Sequence, residues 1–272
     1  MKDERNLISR KFASLKRYYM WYHASRKLDL ILVSEFPKSG GTWYCQMLSH
    51  YLQLPYPRNK TPKLERSILH GHFLYNPRFN KIVCVIRDGR DALVSYYHHM
   101  YFGNGFMSGQ EIAKYRTHAP FSEPENIQAN MPAYIEYMFT KFRIGGRQLT
   151  WSSFIQSYLE KEKVVMVKYE SLLKNTETEM TNSIEQLTEN TCIVKERLKE
   201  SIRQFSFETL SQRERGDENK SDFLRKGIAG DWKNHFTKEA CKVFNYYAGR
   251  ELILLGYEEN SNWINKNDKI IV

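Results

Sequence analysis

An apolar run, Leu30-Ile31-Leu32-Val33, leads into Phe36-Pro37-Lys38-Ser39-Gly40-Gly41-Thr42-Trp43, after which apolar residues recur at Trp43, Met47, Leu48, Tyr51 and Leu52. The first stretch reads as a buried strand and the last as a helix, so a tight basic turn joins strand to helix. Such a unit belongs to an α/β fold, because a strand followed by a helix must cross over to reach a parallel neighbour. The turn also has the chemistry of an anion site. Unpaired backbone N–H groups and the positive end of the helix dipole face one small volume. Gly40 and Gly41 admit a phosphate without a Cβ in the way, Lys38 adds a full charge, and Ser39 and Thr42 add hydroxyls. The expected ligand is a phosphorylated nucleotide.

The turn is not a Walker A loop, in which the Lys follows the glycines and a hydroxyl behind it serves magnesium. Here Lys38 precedes them, and no Gly-Lys-Ser/Thr string occurs. A second segment, Ile82-Val83-Cys84-Val85-Ile86-Arg87-Asp88-Gly89-Arg90-Asp91, is again a strand ending in a charged turn, with Ser95-Tyr96-Tyr97 on the helix that follows. Arg87 falls at the strand's carboxyl end, where open α/β sheets place ligands. Arg90 reads as a surface ion-pairing residue. A third segment, Arg225-Lys226-Gly227-Ile228-Ala229-Gly230-Asp231-Trp232-Lys233, sets an Arg fork beside a Lys point charge ahead of a Gly-Asp-Trp turn.

Together the three segments resemble one family, the cytosolic-type sulfotransferases that use 3′-phosphoadenosine 5′-phosphosulfate (PAPS). The family's P-K-S-G-T-T-W loop matches Pro37–Trp43 with Gly41 in place of one Thr. Its R-x-x-x-D-x-x-x-S-Y-Y block matches Arg87, Asp91, Ser95, Tyr96 and Tyr97. Its R-K-G-x-x-G-D-W-K signature matches Arg225 to Lys233 without a gap. The resemblance runs from about residue 30 to residue 255. It implies a central parallel sheet flanked by helices, akin to the P-loop nucleotide kinases, in a single sulfotransferase domain over residues 1–272.

The resemblance also implies roles. Lys38, Ser39, Gly40, Gly41 and Thr42 would hold the 5′-phosphosulfate, with Trp43 against the adenine. Arg87, Ser95, Arg225, Lys226 and Gly227 would hold the 3′-phosphate, with Ser206 near it. Tyr169 would bond the adenine edge and Phe207 would be a second stacking aromatic. The family's base sits in a K-T-H string; the corresponding segment is Leu69-His70-Gly71-His72-Phe73, which assigns the base to His72 and keeps His70, where the family has Lys, as the alternative. An acceptor hydroxyl or amine would attack sulfur in line, His72 taking its proton and Lys38 stabilising the departing phosphate, while Ser95 helps fix the nucleotide. No metal is expected. Gly41 removes one hydroxyl donor but leaves the backbone N–H.

Within 272 residues, 41 Lys+Arg against 31 Asp+Glu give a net charge of +10, which implies anionic partners. The product nucleotide 3′,5′-bisphosphoadenosine (PAP) and its donor employ part of that charge. A hydroxylated acceptor, either a glycan or a small metabolite, is expected; nucleic acid is not. Cys45, Cys84, Cys192 and Cys241 are irregularly spaced, three of them in apolar patterns, so buried thiols and a cytoplasmic setting are expected. Neither a leader pattern nor a membrane-spanning run is seen.

Residues 1–28 read as a basic N-terminal helix, with Ile8, Phe12, Leu15, Tyr19 and Tyr22 at helical spacing. Packing of that face on the domain is favoured over contact with an anionic membrane. Strands are expected at Leu30–Phe36, Lys81–Ile86 and Lys163–Val167. Helices are expected at Trp43–Leu52, Asp91–Met100, Trp151–Leu159, Thr176–Thr188, Lys195–Gln204 and Thr237–Leu255, the last capped by Thr237. Residues 101–150, rich in aromatics from Tyr101 and Phe106 to Phe139, are expected to form an acceptor pocket or lid, the alternative being that half of those aromatics are core. The tail 258–272 reads as loosely ordered. The family's dimer motif survives only as Lys233 and Thr237, with Lys238 and Lys242 replacing its other two residues, so dimerisation is left open. Two competing readings are a nucleotide kinase or NTPase, in which Asp88 would hold magnesium, and a noncatalytic binder of nucleic acid or membrane surfaces.

Overall fold

The computed structural model describes residues 7–103, 107–189 and 192–266, so Phe106 and the ends of the N-terminal and C-terminal segments lie outside the described residues. The chain divides into two compact units. The first comprises residues 1–35, 39–87 and 158–215; the second comprises 36–38, 88–157 and 216–272.

The first unit is built on a four-stranded parallel sheet of order β2-β1-β3-β4. Its strands are β1 (Ile31–Glu35), β2 (Ile68–Gly71), β3 (Lys81–Ile86) and β4 (Val164–Lys168). All five residues of β1 are buried, as expected of a central strand covered on both faces. From β1 the chain crosses first to β2 on one side, and β3 then pairs on the other, with Glu35 beside Val85 and Ile86 beside Lys168. A parallel sheet places its ligand crevice outside the carboxyl ends of strands at such a reversal. The segments leaving β1, β3 and β4 begin at Phe36, Arg87 and Tyr169.

Ile31, Val33, Val83, Val85, Val165 and Val167 turn toward α2 (Gly41–Leu52), α8 (Thr176–Thr188) and α9 (Lys195–Gln204). There they meet Tyr44, Leu48, Met180, Ile184 and Leu198. The alternate strand residues include Ser34, whose Oγ donates to the Phe73 carbonyl, as does the Tyr158 hydroxyl. Strand β2 was not expected, because its four residues, Ile68-Leu69-His70-Gly71, offer only two apolar positions.

The N-terminal segment forms α1 (Leu7–Tyr19), continued by one π-helical turn, Met20–Ala24. Helix α1 is held by Ala13 and Met20, both buried, and by Arg17, whose guanidinium donates to the carbonyls of Pro57, Arg58 and Lys60. The expectation that the Ile8 face packs inward is corrected: Ile8, Phe12, Leu15 and Tyr19 are 79, 59, 68 and 51% exposed. Only Tyr22 packs as expected, against Phe73 and Phe79.

The second unit contains α3 (Gly89–Phe102), α4 (Gly109–Thr117), α5 (Ile127–Thr140), most of α6 (Trp151–Tyr158), a 3₁₀ turn at Asp231–Asn234, α11 (Lys238–Leu254) and α12 (Trp263–Lys266). The short helices α7 (Tyr169–Lys174) and α10 (Phe207–Ser211) belong to the first. Thr237 caps α11 as expected, its Oγ1 accepting from Ala240 N. Tyr101, Tyr134 and Phe139 of the 101–150 insertion are core, Phe139 stacking on Tyr247 at 4.9 Å.

Two expectations fail here. Arg90 is 2% exposed and not a surface residue. Its guanidinium pairs with Asp88 and Glu258 and lies between the rings of Trp232 and Trp263, at 3.8 and 4.6 Å. For the same reason the described part of the tail is docked: Trp263 is buried and its Nε1 donates to Asn245. Cys45, Cys84 and Cys241 are buried and Cys192 is exposed. No described helix is long and apolar enough to cross a membrane.

Candidate active site

Strand β1 ends in Glu35, and the chain turns through Lys38 and Gly40, both at positive φ (73° and 98°), into the N-terminus of α2. A Cβ on Gly40 would sit 2.5 Å from the Tyr169 ring, so only glycine lets that ring lie against the turn. The Arg87 guanidinium lies over the same ring, 4.5 Å from its centroid, and Trp43 meets that ring edge-on at 6.1 Å. The indole of Trp43 is fixed by donation from Nε1 to the Phe205 carbonyl at 2.8 Å. Ser39, Gly40, Trp43, Arg87 and Tyr169, drawn from the ends of three adjacent strands, therefore form one group in the first unit. Ser39 is fully buried, and its Oγ has no hydrogen-bond partner among the described residues. A buried hydroxyl without a partner is costly unless a ligand supplies one.

The neighbouring group is a carboxylate with two imidazoles. Glu35 Oε2 accepts from Gly41 N at 2.6 Å, and Oε1 accepts from His70 Nε2 at 2.9 Å. The Gly41 N–H, which the resemblance assigns to the nucleotide, thus donates to this carboxylate. His72 Nδ1 lies 2.9 Å from the Glu35 carbonyl, which can only accept, so Nδ1 carries the proton and Nε2 the lone pair. Burial would raise the Glu35 pKa, but the hydrogen bond from His70 and the charges of both imidazoles hold it down at about 2. Burial, and then the neighbouring His70, lower that of His72, so its imidazole is neutral at neutral pH.

The two departures from the family pattern are one structural event. A Cβ at position 41 would stand 2.9 Å from both Glu35 Cδ and His70 Nε2. Glycine at 41 is what admits the Glu35–His70 pair. Glu35, His70 and His72 each offer one ligand atom, all within 4.8 Å of one another, a spacing open to a metal ion. Glu35 was not singled out from sequence; the only signal was an acid closing an apolar strand.

Ser206 caps α10, its Oγ accepting from Thr209 N, and Phe207 is buried under Arg213. Both belong to the first unit.

The second unit holds Lys38, Ser95, Arg225, Lys226 and Gly227. Lys38 Nζ lies 4.3 Å from the Phe223 ring centroid, Ser95 is half-buried on α3, and Gly227 has a φ of 66°. Arg225 and Lys226 converge on Asp231, 2.5 Å from Oδ2 and 2.7 Å from Oδ1, and Arg225 also pairs with Glu218. His235 completes the cluster at 3.3 Å. Burial would raise the Asp231 carboxyl pKa, but these cationic partners hold it far below the usual range. The turn that presents Asp231 is itself pinned, because Asp91 accepts from Gly230 N and Trp232 N. The sequence signature thus contains its own counter-ion, and Asp91 of the second motif orders the third.

Comparison with known proteins agrees with this architecture. Residues 72–256 match the model of the Sulfotransferase domain family. Sulfotransferase 1 family member D1 of Mus musculus is 26% identical over 263 residues, 79% of this chain and 81% of the relative. Sulfotransferase 1E1 of Cavia porcellus is 22% identical over 270 residues, 82% and 83% of the two chains. Among solved structures, mouse sulfotransferase SULT7A1 complexed with PAP superposes with a TM-score of 0.59 at 15% identity, over 87% of this chain and 88% of that one. Retinol dehydratase in a complex with retinol and PAP gives a TM-score of 0.57 at 15% identity, over 88% and 85%. With a family match across well over half its length and a parallel sheet of the same fold, the chain belongs to the sulfotransferase family and is a sulfotransferase.

Proposed function

We propose that residues 1–272 act as one domain that moves a sulfonate group from PAPS to a hydroxyl or amine by direct in-line displacement. The observation that carries this reading is the buried, unpartnered Ser39 hydroxyl at the start of α2, beside Gly40, Tyr169 and Arg87. Ser39, Gly40 and Thr42, with Lys38, are assigned the 5′ end of the nucleotide; Gly41 contributes through the space it leaves for Glu35. Trp43, Tyr169 and Phe207 are assigned the adenine. Arg87, Ser95, Ser206, Arg225, Lys226 and Gly227 are assigned the 3′-phosphate. Both solved neighbours described above hold PAP, which supports the choice of nucleotide.

In the reaction the acceptor oxygen forms a bond to sulfur as the bond from sulfur to the phosphate oxygen breaks, and PAP departs. His72 Nε2 takes the acceptor's proton, for which its neutral state and fixed tautomer suit it. Lys38 meets the charge growing on the departing phosphate. The acceptor is a hydroxylated compound, glycan or small metabolite, taken up by the 101–150 insertion. The three buried thiols suit a reducing, cytoplasmic setting.

Thermal-shift titration with PAP beside AMP and ATP tests the nucleotide. Selective stabilisation by PAP is expected, and equal responses to all three refute the reading. Magnesium-dependent turnover of ATP would replace it with a kinase or NTPase.

A further inference from the structure

Helix α1 is built inside out. Ile8, Phe12, Leu15 and Tyr19 follow one another at steps of four, three and four residues, which places them on one face. That face is the most apolar part of the helix, yet its four side chains are 51 to 79% exposed. The orientation is fixed from the opposite side, where Ala13 is buried and Arg17 is tied to three carbonyls of the 57–60 loop. Lys11 and Lys16 border the stripe on either side. Between residues 7 and 28 there are six Lys and Arg and not one Asp or Glu, and Arg10, Lys11, Arg26 and Lys27 are exposed.

We propose that α1 is a docking surface for an anionic lipid bilayer, with Ile8, Phe12, Leu15 and Tyr19 entering the headgroup–acyl boundary. The flanking cations remain among the lipid phosphates and carboxylates. An apolar stripe edged by lysines, whose stems reach along apolar surface while their ammonium groups stay in the polar layer, is the pattern of an interfacial helix. Charge decides against the other apolar occupant. A second copy docked by a two-fold axis would set this uniformly basic helix against its own image, like charge against like. An anionic membrane meets the same cations with the opposite sign. The proposal is independent of the nucleotide reading, since the stripe residues contribute nothing to that site.

The test is co-sedimentation of the full chain with phosphatidylcholine vesicles containing phosphatidylserine, and with phosphatidylcholine vesicles alone. The wild type is expected to bind the anionic vesicles and to bind the neutral ones at least about tenfold more weakly. Phe12→Ser/Leu15→Ser is expected to cut binding by at least about tenfold, with an unchanged melting temperature and an unchanged response to PAP, because both side chains are exposed. Lys11→Glu/Lys16→Glu is expected to weaken binding by a similar factor of about ten. Three results overturn the proposal. The wild type could fail to sediment with anionic vesicles. Binding could survive Phe12→Ser/Leu15→Ser and vanish with salt, which is charge attraction without insertion. Light scattering could show a dimer that the same substitutions dissolve.

Discussion

Two buried carboxylates, Glu35 and Asp231, gather basic side chains around them, and they do so with different partners. Glu35 in the first unit meets the His70 imidazole through its carboxylate and the His72 imidazole through its backbone carbonyl. Asp231 in the second is paired mainly with the Arg225 guanidinium and the Lys226 ammonium. Under the proposed reaction the first centre would pass the acceptor's proton and the second would give a fixed field to the nucleotide.

Four experiments break or sharpen that contrast. The largest effect is expected from His72→Ala, about 10²–10⁴-fold in kcat/KM with the thermal response to PAP retained; full turnover in that variant would remove the proton-passing role. Next is Asp231→Ala, which strands Arg225 and Lys226 and is expected to cost about 3–5 kcal/mol in urea unfolding. A cost below about 1 kcal/mol would show that the second centre is solvent-supported.

Glu35→Gln keeps the shape but weakens the bond to His70. A loss of roughly tenfold in kcat/KM is expected from one charge-assisted hydrogen bond. The lowered Glu35 pKa gives stability that is present above 4.5 and lost as pH falls toward about 2, and this acid-dependent part should disappear in the variant.

The smallest effect concerns His98 of α3, buried without a hydrogen-bond partner for either nitrogen among the described residues. Burial, followed by the charges of Arg225, His235 and Lys220, lowers its pKa from 6.5 to about 3. The unfolded chain therefore takes up a proton that the folded one refuses, and stability declines as pH falls from 6.5 toward 3. His98→Phe should flatten the melting temperature between pH 7 and 5, and an unaltered slope would place the acid sensitivity elsewhere.

The sequence was most readable where structure is local. The strand–turn–helix units, the Thr237 cap and helix Thr176–Thr188 each rest on residues within a few positions of one another. It was least readable where partners are distant. Arg90 passed for a surface cation because Glu258 and Trp263, which bury it, lie far along the chain. Glu35 and His70 are 35 residues apart, so the loss of a hydroxyl at Gly41 and the loss of a Lys at His70 looked like two accidents. In α1 the periodicity of the apolar stripe was plain, but periodicity says that a face exists and not which way it points.

The casing around Arg90 makes the turn that carries Trp263 a rivet. A protease that trimmed the polypeptide just after Tyr257 would strip away one of its two acidic partners and one of its two aromatic walls, leaving a hidden cation half-clothed. Loss of Glu258 and Trp263 would then register in the framework that carries Asp88 and Trp232.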